Sequence, residues 1–127
     1  MAIFIMNKAG YKKMVHSPTG EVGRYLTIVG AKLKYLAKYQ AGRKTGALMN
    51  SINYKITSDS RGLVALVGSD NRVALMHHQG TRPHIIAAKN AKTLRFYSRG
   101  RIVYAKVVHH PGTRPNRYLT DNLRRVI

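Results

Sequence analysis

The stretch NYKITSDSRGLVALVG, residues 53–68, decides the fold class, because within it the spacing of apolar residues changes from that of a helix to that of a strand. Tyr54 and Ile56 alternate with Lys55 and Thr57, DSRG supplies turn residues, and LVALVG follows as an apolar run of strand length. The pattern predicts a β-hairpin.

Upstream, Tyr25, Leu26, Val29, Leu33 and Leu36 recur at helical spacing, which predicts one packed face, with Lys34 and Lys38 on the opposite, wet face. SPTGE at 17–21 predicts the start of this helix: Ser17 caps it, Pro18 sits in the first turn and Glu21 lies near the positive end of the dipole. AGRKTG at 41–46 interrupts the pattern with two glycines, and Thr45 is placed to cap a short second helix through ALMNSI.

Downstream, NRVALMHHQ fits a helical turn or a strand, and Gly80 ends it in either case. Residues 81–93 are rich in Arg, Lys, His and Asn with weak periodicity, which predicts an exposed basic arm. TLRFY, SRGR and IVYAKVV predict a second hairpin, with Leu94 and Phe96 on one face and Val103, Ala105 and Val107 alternating in the return strand. PNRYLTDNLRRVI places Tyr118, Leu119, Leu123 and Val126 at helical spacing, a short basic C-terminal helix. The expected architecture is a single α+β domain over 1–127. A long N-terminal helix packs on a small, mainly antiparallel sheet of about four strands, with the arm at about 81–93.

A chain of 127 residues supports one modest core. Its 23 Lys and Arg face only 4 acidic residues, a formal charge of +19 that calls for an anionic counterpart: nucleic acid, a membrane surface or acidic protein. Basic residues run from Lys8 to Arg125, so the charge belongs to the folded body and not to a tail. Zero cysteines exclude disulfides and thiolate metal sites. MAIFIM at the start is apolar but far too short for a secretory core or a membrane span, which predicts a soluble chain made in a cytoplasm.

The phrase HHQGTRPH at 77–84 returns as HHPGTRPN at 109–116. Adjacent histidines diverge by roughly 100° on a helix, or point to opposite faces of a strand, unlike the i, i+4 pair of a zinc-binding helix. Only convergence of His77 and His78 with His109 and His110 would build a metal site. The four carboxylates, Glu21, Asp59, Asp70 and Asp121, fall in turn or helix-end contexts, and no acid lies near either phrase to orient a histidine. The expectation is no metal, no cofactor and no catalysis. No stretch has the GxxxxGK[ST] spacing of a phosphate-binding loop. The segments around the two phrases do not repeat, so duplication of a whole unit is not the reading. Each phrase is read as a turn that holds Arg82 or Arg114 outward. Lys and Arg interleaved with Tyr in GYKK, KLKYLAKY and LRFYSRGR also fit sequence-independent nucleic-acid binding.

The order of these features resembles the siphophage neck and tail-completion proteins of the head–tail connector region. Thr45, Gly46, Leu48, Ser51 and Ile52 match the phrase that follows the long helix in that family. His78, Gly80 and Thr81 match the phrase after the first hairpin, although Gln79 stands where the family commonly carries Glu. His110, Pro111, Gly112, Thr113, Pro115, Tyr118, Leu119 and Leu123 match the closing phrase. The resemblance covers roughly residues 7–127. It implies a non-enzymatic virion subunit that forms a ring between capsid portal and tail, in contact with portal-side connector and tail-tube or tail-terminator proteins, and assembled in the host cytoplasm. Candidate contacts with other subunits or partners are His78, Gly80, Thr81, Arg82, His110, Gly112, Thr113 and Arg114. Candidates for the DNA channel or for acidic partners are Lys34, Lys38, Arg43, Lys44, Lys89, Lys92, Arg99 and Arg101.

Overall fold

A computed structural model describes residues 1–127 and shows an α+β chain. In order, the elements are α1 (Lys8–His16), α2 (Glu21–Ala41), α3 (Ala47–Ser51), β1 (Ile52–Asp59), β2 (Gly62–Ser69), α4 (Ala74–Gln79), β3 (His84–Ala87), β4 (Leu94–Ser98), β5 (Arg101–Ala105), β6 (Val107–His110) and α5 (Thr120–Leu123). Every strand pairing is antiparallel, but the strands do not share one sheet. They form three two-stranded ribbons, β1–β2, β3–β6 and β4–β5.

The hairpin over 53–68 forms as expected, with Tyr54 opposite Val67 and Ile56 opposite Ala65. Its turn is held by Asp59, whose Oδ1 accepts from the backbone N–H groups of Arg61 (2.8 Å) and Gly62 (3.2 Å). These bonds, with the Arg61 guanidinium beside it, lower the Asp59 pKa from the usual aspartate value.

Helix α2 lies on this hairpin with most of the predicted face, Leu33 buried and Leu26, Val29 and Leu36 half-buried, but the contact is centred to one side of it. The buried positions are mostly small: Gly30 faces the hairpin, Ala37 and Ala41 pack with Ile52, and Gly23 sits against the Pro18 backbone at the helix start, with Leu33 the one large side chain among them. The Tyr54 ring occupies the space over Gly30, where a Cβ would come within 2.8 Å. Close approach of helix and strand therefore requires small side chains inward and sends large ones outward. Tyr25, expected on the packed face, is exposed, and with Ile28, Tyr35 and Tyr39 it forms an outward stripe of three tyrosines and an isoleucine. Lys34, expected on the wet face, is half-buried with its amine 5.2 Å from the centre of the Tyr54 ring, and Lys38 is half-buried too.

The predicted helix start at Ser17 is corrected by a helix the sequence reading missed. Asn7 caps α1, its side chain accepting from the Gly10 N–H at 3.0 Å, and Ser17 closes that helix by donating its N–H to the Lys13 carbonyl. Helix α2 begins after Gly20. Further along, Gly46 caps α3, and Thr45 Oγ1 accepts from the Ala47 N–H at 3.4 Å.

The core is small: Ala37, Ala41, Ile52 and Tyr118, flanked by Leu48 and Leu119. The C-terminal helix is only one turn long; Tyr118, just before it, fills this core, and the buried Asn122 within it donates its side-chain N–H to the Tyr118 carbonyl. No helix is long and apolar enough to cross a membrane.

Candidate functional site, a basic arm and its clamp

The segment NRVALMHHQ, which fitted a helix or a strand, is helical as α4, and Gly80 ends it. From there to Pro115 the chain runs out along one β-ribbon and returns. At its base Thr81 pairs with Thr113, then His84–Ala87 pair with Val107–His110, and the Ala88 N–H donates to the Lys106 carbonyl. Beyond this point Leu94 pairs with Ala105, the neighbour of Lys106, so residues 89–93 bulge from one strand only. The ribbon then continues to a tip at Arg99 and Gly100, both with positive φ.

The arm expected over 81–93 is thus half ladder and half bulge, and its true extent is 81–113. The strand β3 was missed because HIIA is only four residues long, shows no polar–apolar alternation, and finds its partner 20 to 26 residues away. The bulge also breaks the predicted alternation of the return strand. Val103 and Ala105 are half-buried on the inner face with Leu94 and Phe96, while Val107, past the bend, faces solvent. Ile86 and Val108 meet Leu94 and Phe96 across a cleft of about 440 Å³.

The two GTRP phrases meet at the base of this arm and pair with each other. Each Thr N–H donates to the other's carbonyl, Thr81 to Thr113 at 3.0 Å and Thr113 to Thr81 at 3.1 Å, and the hydroxyls are 2.7 Å apart. Each glycine sits against the opposite phrase. A Cβ on Gly80 would lie 2.5 Å from the Thr113 carbonyl oxygen and 2.8 Å from the Pro115 nitrogen. A Cβ on Gly112 would lie 2.3 Å from the Thr81 oxygen and 3.1 Å from the Pro83 nitrogen. Both glycines have positive φ, +75° and +85°. The repeat is therefore a pair of complementary half-sites, related by an approximate two-fold axis, that clamps the root of the arm.

The phrases share GTRP and differ on both sides of it, at Gln79 and Pro111 before the glycines and at His84 and Asn116 after the prolines, and outside this shared stretch the symmetry ends. His84 enters β3, and its ring lies 4.9 Å from that of His110, centre to centre. Asn116 instead ties the clamp to the body. Its Nδ2 donates to the Gln40 carbonyl at 2.9 Å and lies 3.2 Å from His77 Nε2, and its N–H donates to the His77 carbonyl. Gln40 Nε2 reaches Asn116 Oδ1 and Asp121, and Gln40 Oε1 accepts from the buried Asn122 at 2.7 Å. His77 and His78 flank the Tyr118 ring at 5.8 and 5.4 Å. Burial raises the Tyr118 pKa. Gln40, Asn116 and Asn122 escaped the sequence reading; the one available signal was a glutamine beside Ala37 and Ala41 on an otherwise apolar face.

Among the contact candidates, Gly80, Thr81, Gly112 and Thr113 come together in the clamp. His78 lies near it, 3.4 Å from the Thr120 hydroxyl, and His110 Nδ1 accepts from the Gly112 N–H at 3.0 Å. Arg82 and Arg114 are exposed and in no ion pair. The charge candidates divide into two groups. Lys89, Lys92, Arg99 and Arg101 lie on the bulge and tip of the arm, whereas Lys34, Lys38, Arg43 and Lys44 lie on or just after α2. No three side chains among His, Cys, Asp and Glu converge as a metal site would require.

No protein-family model, curated protein or solved structure matches the chain. The neck resemblance therefore stands on the order of motifs alone, and the clamp is the physical account of two of them.

Proposed function

We propose that the chain is a structural subunit of the siphophage head–tail joint, a neck or tail-completion protein. In this reading it is non-enzymatic, assembles as a ring around the DNA channel, and docks to portal-side connector and tail-tube or tail-terminator proteins. It belongs to the virion and is assembled in the host cytoplasm.

The observation that carries the reading is surface. The isolated chain exposes 10,694 Å² at a mass of 14.3 kDa. A compact monomer of that mass exposes about 6,800 Å². Only ten residues are buried, and large apolar side chains stand exposed on the arm, along the outer face of α2 and in residues 1–6, which is the form of a subunit completed by its neighbours. Light scattering and electron microscopy of the purified protein test this. Rings are expected, and a chain that stays monomeric at the highest attainable concentration counts against it.

A second reading, sequence-independent nucleic-acid binding, is favoured by one observation. Two ion pairs engage Arg24 and Arg61, leaving the arm cations Lys89, Lys92, Arg99 and Arg101 unpaired. Tight DNA binding with a steep salt dependence by a monomer would support it over the ring.

A further inference from the structure

Residues 1–6 are the most exposed apolar stretch of the chain. Ile3, Phe4 and Ile5 are 78%, 95% and 91% exposed, and no backbone hydrogen bond involves residues 1–6. Ile, Phe and Ile in succession have the side chains of a strand, and the free backbone groups are those of an unpaired one.

The same chain offers a complementary site. Strand β2 bonds through its backbone to β1 alone, so its other edge is open. Beside that edge runs an apolar groove of about 260 Å³, walled by Leu33 of α2, Ala65 and Val67 of β2, and Leu119 and Leu123 at α5. A two-stranded ribbon is marginal by itself and gains from a third strand.

We propose that residues 2–6 of one copy lie along the open edge of β2 in a second copy, adding a strand there. Ile3 and Ile5 enter the groove, and Phe4 packs outward beside the exposed Leu66. The proposal rests on the ring reading and names the contact that closes one subunit on the next. Three observations choose a second copy as the occupant. Two chains of +19 repel, so they must meet through uncharged surface, and neither the segment nor the groove carries a charged side chain. Five extended residues span about 17 Å, within the length of an eight-residue strand such as β2. In its own chain the segment is not seated: it leads into α1, whose far end is the one that touches β2, with His16 3.9 Å from a Cβ built on Gly62.

The absence of native cysteine makes the test direct. Chains carrying Ile5→Cys and chains carrying Thr120→Cys, a residue of the groove wall, are mixed and oxidised. Each chain has one thiol, so a cross-linked dimer that forms in the mixture and only weakly with either chain alone reports the proposed contact. In parallel, Ile3→Asp/Ile5→Asp weakens self-association on the order of 100-fold, while at a concentration where both proteins are dissociated its circular dichroism and melting temperature match the wild type, since these side chains lie outside the packed body. Three results overturn the proposal while leaving the ring reading intact: undiminished assembly of the Asp variant, no cross-link in the mixture of an assembling protein, or an Ile5→Cys/Thr120→Cys chain that cross-links only within itself. Flotation of the wild type with vesicles of anionic lipid, lost in the Asp variant and unaccompanied by a cross-link, would overturn it in favour of a lipid anchor. A wild type that never associates overturns the ring reading itself, and this contact with it.

Discussion

Replacing Gly80 by Ala measures the clamp, because the chain carries its own control. Gly80 and Gly42 have nearly the same backbone conformation, φ/ψ of 75°/176° and 79°/176°, in a region essentially restricted to glycine. They differ in surroundings: nothing lies within 4 Å of a Cβ on Gly42, whereas one on Gly80 lies 2.5 Å from the Thr113 oxygen and 2.8 Å from the Pro115 nitrogen. Gly42→Ala should therefore cost only backbone strain, about 1–3 kcal/mol. Gly80→Ala adds overpacking against a backbone that cannot move aside without breaking the Thr81–Thr113 bridge, a further ~1–3 kcal/mol. Urea denaturation of both variants gives the difference, and hydrogen exchange at the Thr81 and Thr113 amides locates it. Gly112→Ala should match Gly80→Ala, and the double variant should lose less than the sum, because either substitution alone opens the same clamp. Equal stability of the Gly80 and Gly42 variants, with the Thr81 and Thr113 amides equally protected, would refute the clamp.

Three further outcomes are expected. Asn116→Ala should cost about 1–3 kcal/mol in a thermal or urea melt, because it leaves the half-buried Gln40 without two of its partners; a loss under ~0.5 kcal/mol would show that water replaces the amide. Tyr118 has its pKa raised by burial, so its contribution to stability is complete below the unfolded-state value of about 10 and is lost as pH rises through the folded-state value. Wild type should therefore lose stability above pH ~10 more steeply than Tyr118→Phe, and parallel curves would exclude Tyr118 as the cause. Tyr35→Glu and Tyr39→Glu, on the outward stripe of α2, should leave monomer stability within ~0.5 kcal/mol, whereas a cost above ~2 kcal/mol would place these rings in the core.

The parts of the fold legible in the sequence are those fixed by local spacing. The period-two run Tyr54–Thr57 with its DSRG turn gave a correct hairpin, and the apolar recurrence from Leu26 to Leu36 a correct long helix. What spacing could not give was the centre of the packed face of that helix. Leu26, Val29, Leu33 and Leu36 do turn toward the body, but the face is centred on Gly30 and Ala37, small residues that hydrophobic counting weights lightly, and Gly30 decides how closely the helix can approach Tyr54. Hence Tyr25 was misassigned to the interior and Lys34 to water.

The repeated phrase was legible as punctuation and illegible as a pair. A turn is a local object, and Gly80 and Gly112 could each be read as one from its own neighbours. Pairing across 32 positions is not local, and nothing in GTRP states that it binds another GTRP. Yet the pairing accounts for the repetition better than two independent turns do. An antiparallel contact related by an approximate two-fold axis places each residue of one segment where its counterpart lies in the other, so the same short sequence satisfies both sides. Each side needs a glycine where the chains approach closely and a threonine to exchange backbone bonds. Each also needs a proline, which offers no N–H to be left unsatisfied beside the opposite glycine. On this account the shared contact is GTRP alone: before it His77 and His78 lie in α4 and His109 and His110 in β6, with Gln79 and Pro111 differing, and after it His84 continues the arm while Asn116 fastens it to Gln40.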